Sequence, residues 1–407
     1  MLHLSEILSA VADKLLSVLF FDYKAIISYV IVILLIRTQY IKEIKMQVNS
    51  GDDDYEEIYR KRIRRIFTET IFYGAVIGFA AGVLLTSISI KLGIIYNEKT
   101  FDYLFIIMVI LVLFNIRYVC IAYAGGLLAI ADLVFKIPEI DAVPVLIVIA
   151  ILHVFESLLI FFGAGRNCYP VFIRNGDEIA GAYITRRFWP VPVIFLSLLT
   201  QAYWKNALFL NCALSVIAYT DMTMTKQPDK KSREMGMQLL IYACILFVLS
   251  IAAVNTYIFG IVGAVFCVAA HEGIMLFSRY RERHGDPIFV SVRRGVRVFD
   301  VPAGSHAFKM GMKRGDIILS VNGKSVQTEE GIEEALKNSP TYIWINAVDY
   351  KGKEKEYEYR CYPEGINNLG VVIVPRENEV TYNIYHDENY SILKNLVKRF
   401  RGSYKEV

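Results

Sequence analysis

VPAGSHAFKMGMKRGDIILSVNGKSV, spanning Val301 to Val326, alternates short apolar runs with glycine-marked turns. Pro302 and Gly304 mark a turn, His306 to Met310 a short helix, Asp316 to Val321 a strand, and Asn322-Gly323 a tight turn. Proline presets φ, and Gly or Asn tolerates the positive φ that such turns require. Upstream, Gly295 to Val301 reads as a strand. Downstream, Thr328 stands as the N-cap of a helix from Glu329 to Lys337, whose first-turn glutamates complement the dipole. Thr341 to Tyr350 and Lys353 to Arg360 form a hairpin across Lys351-Gly352.

The residues before this module belong to another solvent. The chain has 407 residues, 55% hydrophobic and 21% charged, and the apolar excess lies ahead of Ser278. Apolar runs of near-spanning length occur at Ala25 to Ile36, Thr68 to Leu92, Phe101 to Ile116, Tyr118 to Phe135 and Ala142 to Ala164. Others follow at Trp189 to Tyr203, Ala207 to Tyr219, Leu239 to Asn255 and Tyr257 to Phe277. A roughly 30 Å hydrocarbon core needs about 20 helical residues, so the expectation is an α-helical polytopic membrane bundle of about eight or nine spans, followed by the small α+β module. The chain then divides into an interfacial amphipathic segment (1–22), a multi-span body (23–278), a linker (279–290), the module (291–375) and a basic tail (376–407). Leu393, Leu396, Val397 and Phe400 of the tail share one helical face among basic residues, a pattern that suits anionic lipid.

Short basic loops stay on the cytoplasmic side. Arg37, Lys42, Lys45, Arg60, Lys61, Arg62, Arg64 and Arg65 put the first loop there. Arg117, the Arg166 to Arg187 loop, the Lys226 to Arg233 loop and Arg279, Arg281 and Arg283 form the later basic clusters. An even number of spans between the first cluster and the last makes the C-terminal module cytoplasmic. Cys120, Cys212, Cys244 and Cys267 fall in expected spans, and the six cysteines include no C-x-x-C pair, so they are assigned to packing. A net charge of +4, with basic clusters that follow the membrane side, gives no support to a nucleic-acid partner.

The turn pattern, with Gly315-Asp316 and Asn322-Gly323, resembles a bacterial PDZ domain. That resemblance implies a peptide bound as an added strand between a sheet edge and a helix, its carboxylate held by the N–H groups of a glycine loop. Two loops fit. The preferred one is Asn367 to Val371, with Leu369 to Val374 as the groove strand, so that Asn368, Leu369, Gly370, Val371 and Ile373 line the groove with Ile332, Ala335 and Leu336 of the facing helix. The alternative is Arg293, Arg294, Gly295 and Val296. In bacterial PDZ domains the strand that resembles Gly295 to Val301 is interior, which favours the first.

Bacterial membrane proteins with PDZ domains include proteases, so that chemistry is tested against the residues. A zinc protease helix needs H-E-x-x-H, and His271-Glu272-Gly273-Ile274-Met275 has methionine at the second ligand. The domain that would hold a serine-protease triad is lacking, and the spans contain no Gly-x-Ser-Gly nucleophile. The expectation is a protein with no catalytic residues, no metal and no cofactor. Four intramembrane polar residues stand out because ionisable groups are costly there: His153 and Glu156, three apart on one helical face, and His271 and Glu272, expected nearer a helix end.

The stretch IRNGDEIAGAYITRRFWPVPVIFL, Ile173 to Leu196, resembles the MinJ family of polytopic cell-division topology proteins of Gram-positive bacteria. The likeness rests on a polar glycine turn, Ala182-Tyr183, and the entry Arg186, Arg187, Trp189, Val191-Pro192. The layout of basic first loop, spans and one cytoplasmic PDZ domain is similar too. The resemblance implies a non-enzymatic scaffold at septum and poles that bridges the coiled-coil protein DivIVA and the division inhibitor MinD. Competing readings are a regulator or degenerate relative of PDZ-containing intramembrane proteases, and a transporter with a regulatory PDZ domain.

Overall fold

The computed structural model describes residues 53–376, apart from 92, 94, 98, 176–177, 200–206 and 339, with a few isolated positions before residue 53. The segment 1–22, the run Ala25 to Ile36 and the tail beyond Arg376 fall almost wholly outside the described residues. The helical body begins with α1 (Asp53–Lys91), β1 (Ile95–Asn97), α2 (Thr100–Phe114) and a 3-10 turn (Ile116–Val119). It continues with α3 (Ile121–Ile130), a π turn (Ala131–Phe135) and α4 (Ala142–Gly163). Three strands intervene, β2 (Cys168–Asn175), β3 (Glu178–Leu199) and β4 (Ala207–Thr223), before α5 (Pro228–Ala253) and α6 (Tyr257–His284).

Among the described residues, α4, α5 and α6 are long and apolar enough to cross a membrane. Ala75–Lys91, Thr100–Leu111 and Ile121–Phe135 are shorter apolar helices. The count of about eight or nine spans is therefore corrected downward. At 15 residues α2 extends only about 22 Å, less than the hydrocarbon thickness. It forms a hairpin with α3, and the turn ends at Cys120, beside His153 in the middle of α4, not at a helix end. Asn115 Oδ1 accepts from Arg117 N–H at 3.1 Å and closes that turn. The body buries a continuous core of Leu128, Leu146, Ile149, Tyr242, Leu246 and Cys267. Its outer rim is apolar, with Phe162, Val248 and Ile258 about two-thirds exposed, as lipid-facing helices require.

Two expected spans, Trp189 to Tyr203 and Ala207 to Tyr219, are strands in all their described residues. β3 and β4 pair antiparallel from Tyr183↔Thr223 to Leu199↔Ala207. The physical reason is visible in the residues: Val191, Val193, Ile194 and Phe195 favour a pleated backbone, and Pro190 and Pro192 each remove a helical N–H donor. Two apart, the prolines share one edge of β3, between the stretches paired with β2 (178–185) and β1 (196–198), where a missing donor is tolerated.

The sheet is tied to the helices by one carboxylate. Glu282 of α6 accepts from Lys231 Nζ at 2.8 Å and from the N–H groups of Met224 at 2.9 Å and Thr225 at 3.0 Å. Both Glu282 and Lys231 are buried. Asp221 Oδ2, 3.9 Å from Lys231 Nζ, partly compensates that cation, so Glu282→Ala is expected to cost about 2–3 kcal/mol, most of it from the stranded N–H groups and the weakened pair. Glu282→Gln, which keeps an acceptor for the two N–H groups, should cost less. Thermal unfolding in detergent reads both, and a loss below about 1 kcal/mol for alanine would contradict the assignment.

The C-terminal module opens with β5 (Phe289–Val290), which pairs with β3, and continues with β6 (Val296–Asp300), α7 (His306–Lys309) and β7 (Ile317–Val321). β8 (Lys324–Ser325), α8 (Glu329–Leu336), β9 (Tyr342–Val348), β10 (Glu354–Arg360) and β11 (Val372–Ile373) complete it. The sheet order is β10-β9-β7-β6-β11, with β8 paired to β7. Local chemistry sets these ends. Ser305 Oγ caps α7 through Phe308 N–H at 3.1 Å, and Thr328 Oγ1 caps α8 through Gly331 N–H at 3.3 Å. Asn322 Oδ1 accepts from Trp344 N–H at 2.9 Å, pinning the Asn322-Gly323 turn to β9.

Candidate functional site

β11 is the last strand of the described sheet and pairs antiparallel with β6 through Val372↔Asp300 and Ile373↔Val298. The loop that leads into it is built around Gly370, which adopts φ +68°. Gly370 N–H donates to Asn368 Oδ1 at 2.6 Å, and Leu369 O accepts from Ala307 N–H at 2.9 Å, so the loop is fastened to the start of α7. A Cβ at position 370 would stand 2.7 Å from Ser305 Cβ. Leu369, Val371 and Ile373 join Ile332 and Leu336 of α8 in one core cluster, with Ala335 packed against it. The preferred loop, the terminal strand and α8 thus contribute apolar side chains to the same core.

The alternative loop has no such edge. Arg293 and Arg294 are exposed, Gly295 has φ +86°, and Val296 begins β6, which lies between β7 and β11. Arg376 caps this region, its Nη2 donating to Val292 O at 3.1 Å and to Gly295 O at 3.4 Å.

The other face of β11 meets the body. Val372 and Val374 pack with Phe172, Tyr183, Phe289 and Phe299, a cluster that joins module to sheet. Tyr183 O–H donates to Phe299 O, and Gly181 leaves room for the Phe299 ring, which a Cβ would meet at 2.5 Å. Arg314 Nε donates to Asp300 Oδ1 at 2.8 Å, and its guanidinium lies 4.7 Å from the Tyr183 ring centroid. Burial acts to lower the Arg314 pKa, but Tyr183 and the Asp300 carboxylate outweigh it and hold the group above its ordinary value. Inside the module Tyr357 O–H donates to Asp316 Oδ2 at 2.6 Å, and burial together with that bond pushes the phenol above its usual range. The docking residues Gly181, Tyr183, Phe299 and Arg314 were not among the sequence candidates. Ala182-Tyr183 stood out only through a family likeness, and no local pattern pairs it with residues more than a hundred positions away.

The four polar residues His153, Glu156, His271 and Glu272 fall into one cluster inside the helical body. His153 is fully buried, and its Nε2 lies 3.5 Å from Glu156 Oε2. His271 and Glu272 do not sit near a helix end. His271 is buried beside His153, their ring centroids 5.3 Å apart, and Glu272 takes Tyr123 O–H at 2.6 Å and an ion pair from Arg117. Arg117 is therefore a half-buried partner, not a loop charge on the membrane surface. Cys120, assigned to packing on sequence grounds, stands between the two histidines.

A protein-family model described as PDZ domain matches residues 298–343, from β6 to the start of β9. It stops short of β10, the Gly370 loop and β11. No curated protein matches the chain.

Proposed function

We propose that this chain is a non-enzymatic membrane adaptor whose PDZ domain takes the carboxyl-terminal strand of a cytoplasmic protein against β11. The observation that carries the reading is the conjunction, at one end of the sheet, of a terminal strand, the apolar face of α8 and the positive-φ loop at Gly370. PDZ domains bind peptides by strand addition, with backbone hydrogen bonds supplying affinity and side-chain pockets specificity. Ile332, Leu336 and Ile373 are each buried in the core cluster of the module.

A cytoplasmic module is supported by the basic clusters. The MinJ-like stretch at Ile173 to Leu196 adds the finer reading of a scaffold at septum and poles with DivIVA-like and MinD-like clients, the basic loop from Arg37 to Arg65 offering a second contact. Crosslinking and pull-down from native membranes, with the full chain and with a chain ending before residue 291, tests it. The expected result is capture of these division proteins by the full chain and a loss of about tenfold or more without the module. Equal capture by both chains would refute a PDZ-mediated adaptor.

A further inference from the structure

Cys120, His153 and His271 come from three separate elements, the entry to α3, α4 and α6, and converge in the middle of the body. Cys120 Sγ is 3.3 Å from His153 Nε2 and 3.6 Å from His271 Nε2, and the three donor atoms all lie within 4.8 Å of one another. In a tetrahedral site with metal–nitrogen bonds of about 2.0–2.1 Å and metal–sulfur bonds of about 2.3 Å, the nitrogen–sulfur edge is about 3.6 Å. The side chains already stand at ligand spacing.

The tautomer fits as well. His153 Nδ1 lies 2.8 Å from Ile149 O, and since a carbonyl only accepts, Nδ1 carries the ring proton and Nε2 presents its lone pair to the cluster. His271, 4% exposed, has no hydrogen-bond partner for Nδ1 among the described residues, and its Nε2 there meets only the weakly polar sulfur. Hydrogen bonding alone thus leaves a buried imidazole half satisfied, an arrangement with a real desolvation cost. Glu156, one turn along α4, brings a carboxylate to 3.5 Å from His153 Nε2, beside the position a fourth ligand would take. A thiolate and a carboxylate together neutralise a divalent ion, which suits an apolar interior.

We propose that Cys120, His153 and His271 hold a thiophilic first-row transition-metal ion, zinc or copper, with Glu156 adjacent to its open position. The H-E-x-x-H test rejects a site on one helix, and this one is assembled across three elements. Bound there, the ion pins the tip of the α2–α3 hairpin to α4 and α6.

The test uses the full chain purified in detergent from cells grown with added zinc or added copper, with metal measured by elemental mass spectrometry. The expected result is about one ion per chain in at least one of the two media, the medium identifying the metal, and a drop of about tenfold or more in the His153→Ala/His271→Ala double variant. Cys244→Ser, an exposed cysteine outside the cluster, should keep full occupancy. Cobalt(II) added to chelator-treated protein supplies a readout of geometry. Wild type should show a thiolate-to-cobalt charge-transfer band and tetrahedral d–d bands, Cys120→Ser should lose the first, and His153→Cys, which keeps a ligand, should retain binding. Wild-type protein without metal from either medium and without cobalt bands would overturn the proposal, as would undiminished metal in the double variant.

Discussion

Arg314→Ala is expected to undock the PDZ domain from the β2–β3 sheet and to lower its stability by about 3–5 kcal/mol, the cost of leaving a buried carboxylate without its cation. Asp300 is completely buried, and its partners include Arg314 and Tyr183 O–H at 3.4 Å. The guanidinium also covers the Tyr183 ring, so truncation removes a stacking contact together with the charge. A charge-only loss and a packing loss separate in a double-mutant cycle. Asp300→Asn in the Arg314→Ala background should recover part of the stability, because a buried charge that has lost its guanidinium is removed. Thermal unfolding followed by tryptophan fluorescence, and protease cleavage between α6 and β5 at residues 285–288, read the two effects. An Arg314→Ala protein that unfolds within about 1 kcal/mol of wild type would contradict the role given to the Asp300 pair inside the module, and unchanged protease cleavage would contradict the role of Arg314 in docking.

Gly370→Val should abolish peptide capture. At φ +68° a β-branched residue is strained by about 1–3 kcal/mol, and its Cβ would strike Ser305, which caps α7. The Leu369-Gly370 peptide must then turn, breaking the bonds from Gly370 N–H to Asn368 and from Ala307 N–H to Leu369 O that fix the shape of the loop. Gly304→Ala supplies the control. It too has positive φ, at +91°, but no atom lies within 4 Å of its Cβ position, so it isolates backbone strain from collision. Affinity for a carboxyl-terminal peptide should fall by about tenfold or more for Gly370→Val and by less than about threefold for Gly304→Ala. Equal effects would mean that strain alone, and not loop shape, governs binding.

The module was legible because its elements are bounded by local chemistry. Ser305, Thr328, Asn322-Gly323 and Gly315 each specify a cap or a turn within a few residues, and the observed strands and helices begin within a residue or two of these marks, except at β11. That strand is only two residues long by pairing, against an expected run from Leu369 to Val374, because its register shifts between Val372 and Ile373.

The body was less legible because an apolar run does not declare its period. Trp189 to Tyr203 has the length and hydrophobicity of a tilted span, yet its β-branched residues and two prolines favour a strand. Length was decisive for α2 and α3, whose shortness marks a hairpin that enters the body and returns, with irregular backbone tolerated because protein surrounds it. His153, Glu156, His271 and Glu272 were found from cost alone, since charges in an apolar setting need partners. Their partners Cys120, Tyr123 and Arg117 were not, because they arrive on the tip of that hairpin, and nothing near residue 120 announces a contact with residue 271.

The most direct test of the adaptor reading is to measure binding of one carboxyl-terminal peptide to the full chain in nanodiscs, with its terminus free and with the same terminus amidated. A carboxylate seated on the Gly370 loop predicts saturable binding of the free acid, weakened about tenfold or more by amidation, with protection of the β11 amides from hydrogen exchange. Equal affinity for acid and amide, or protection confined to residues 293–296, would contradict it.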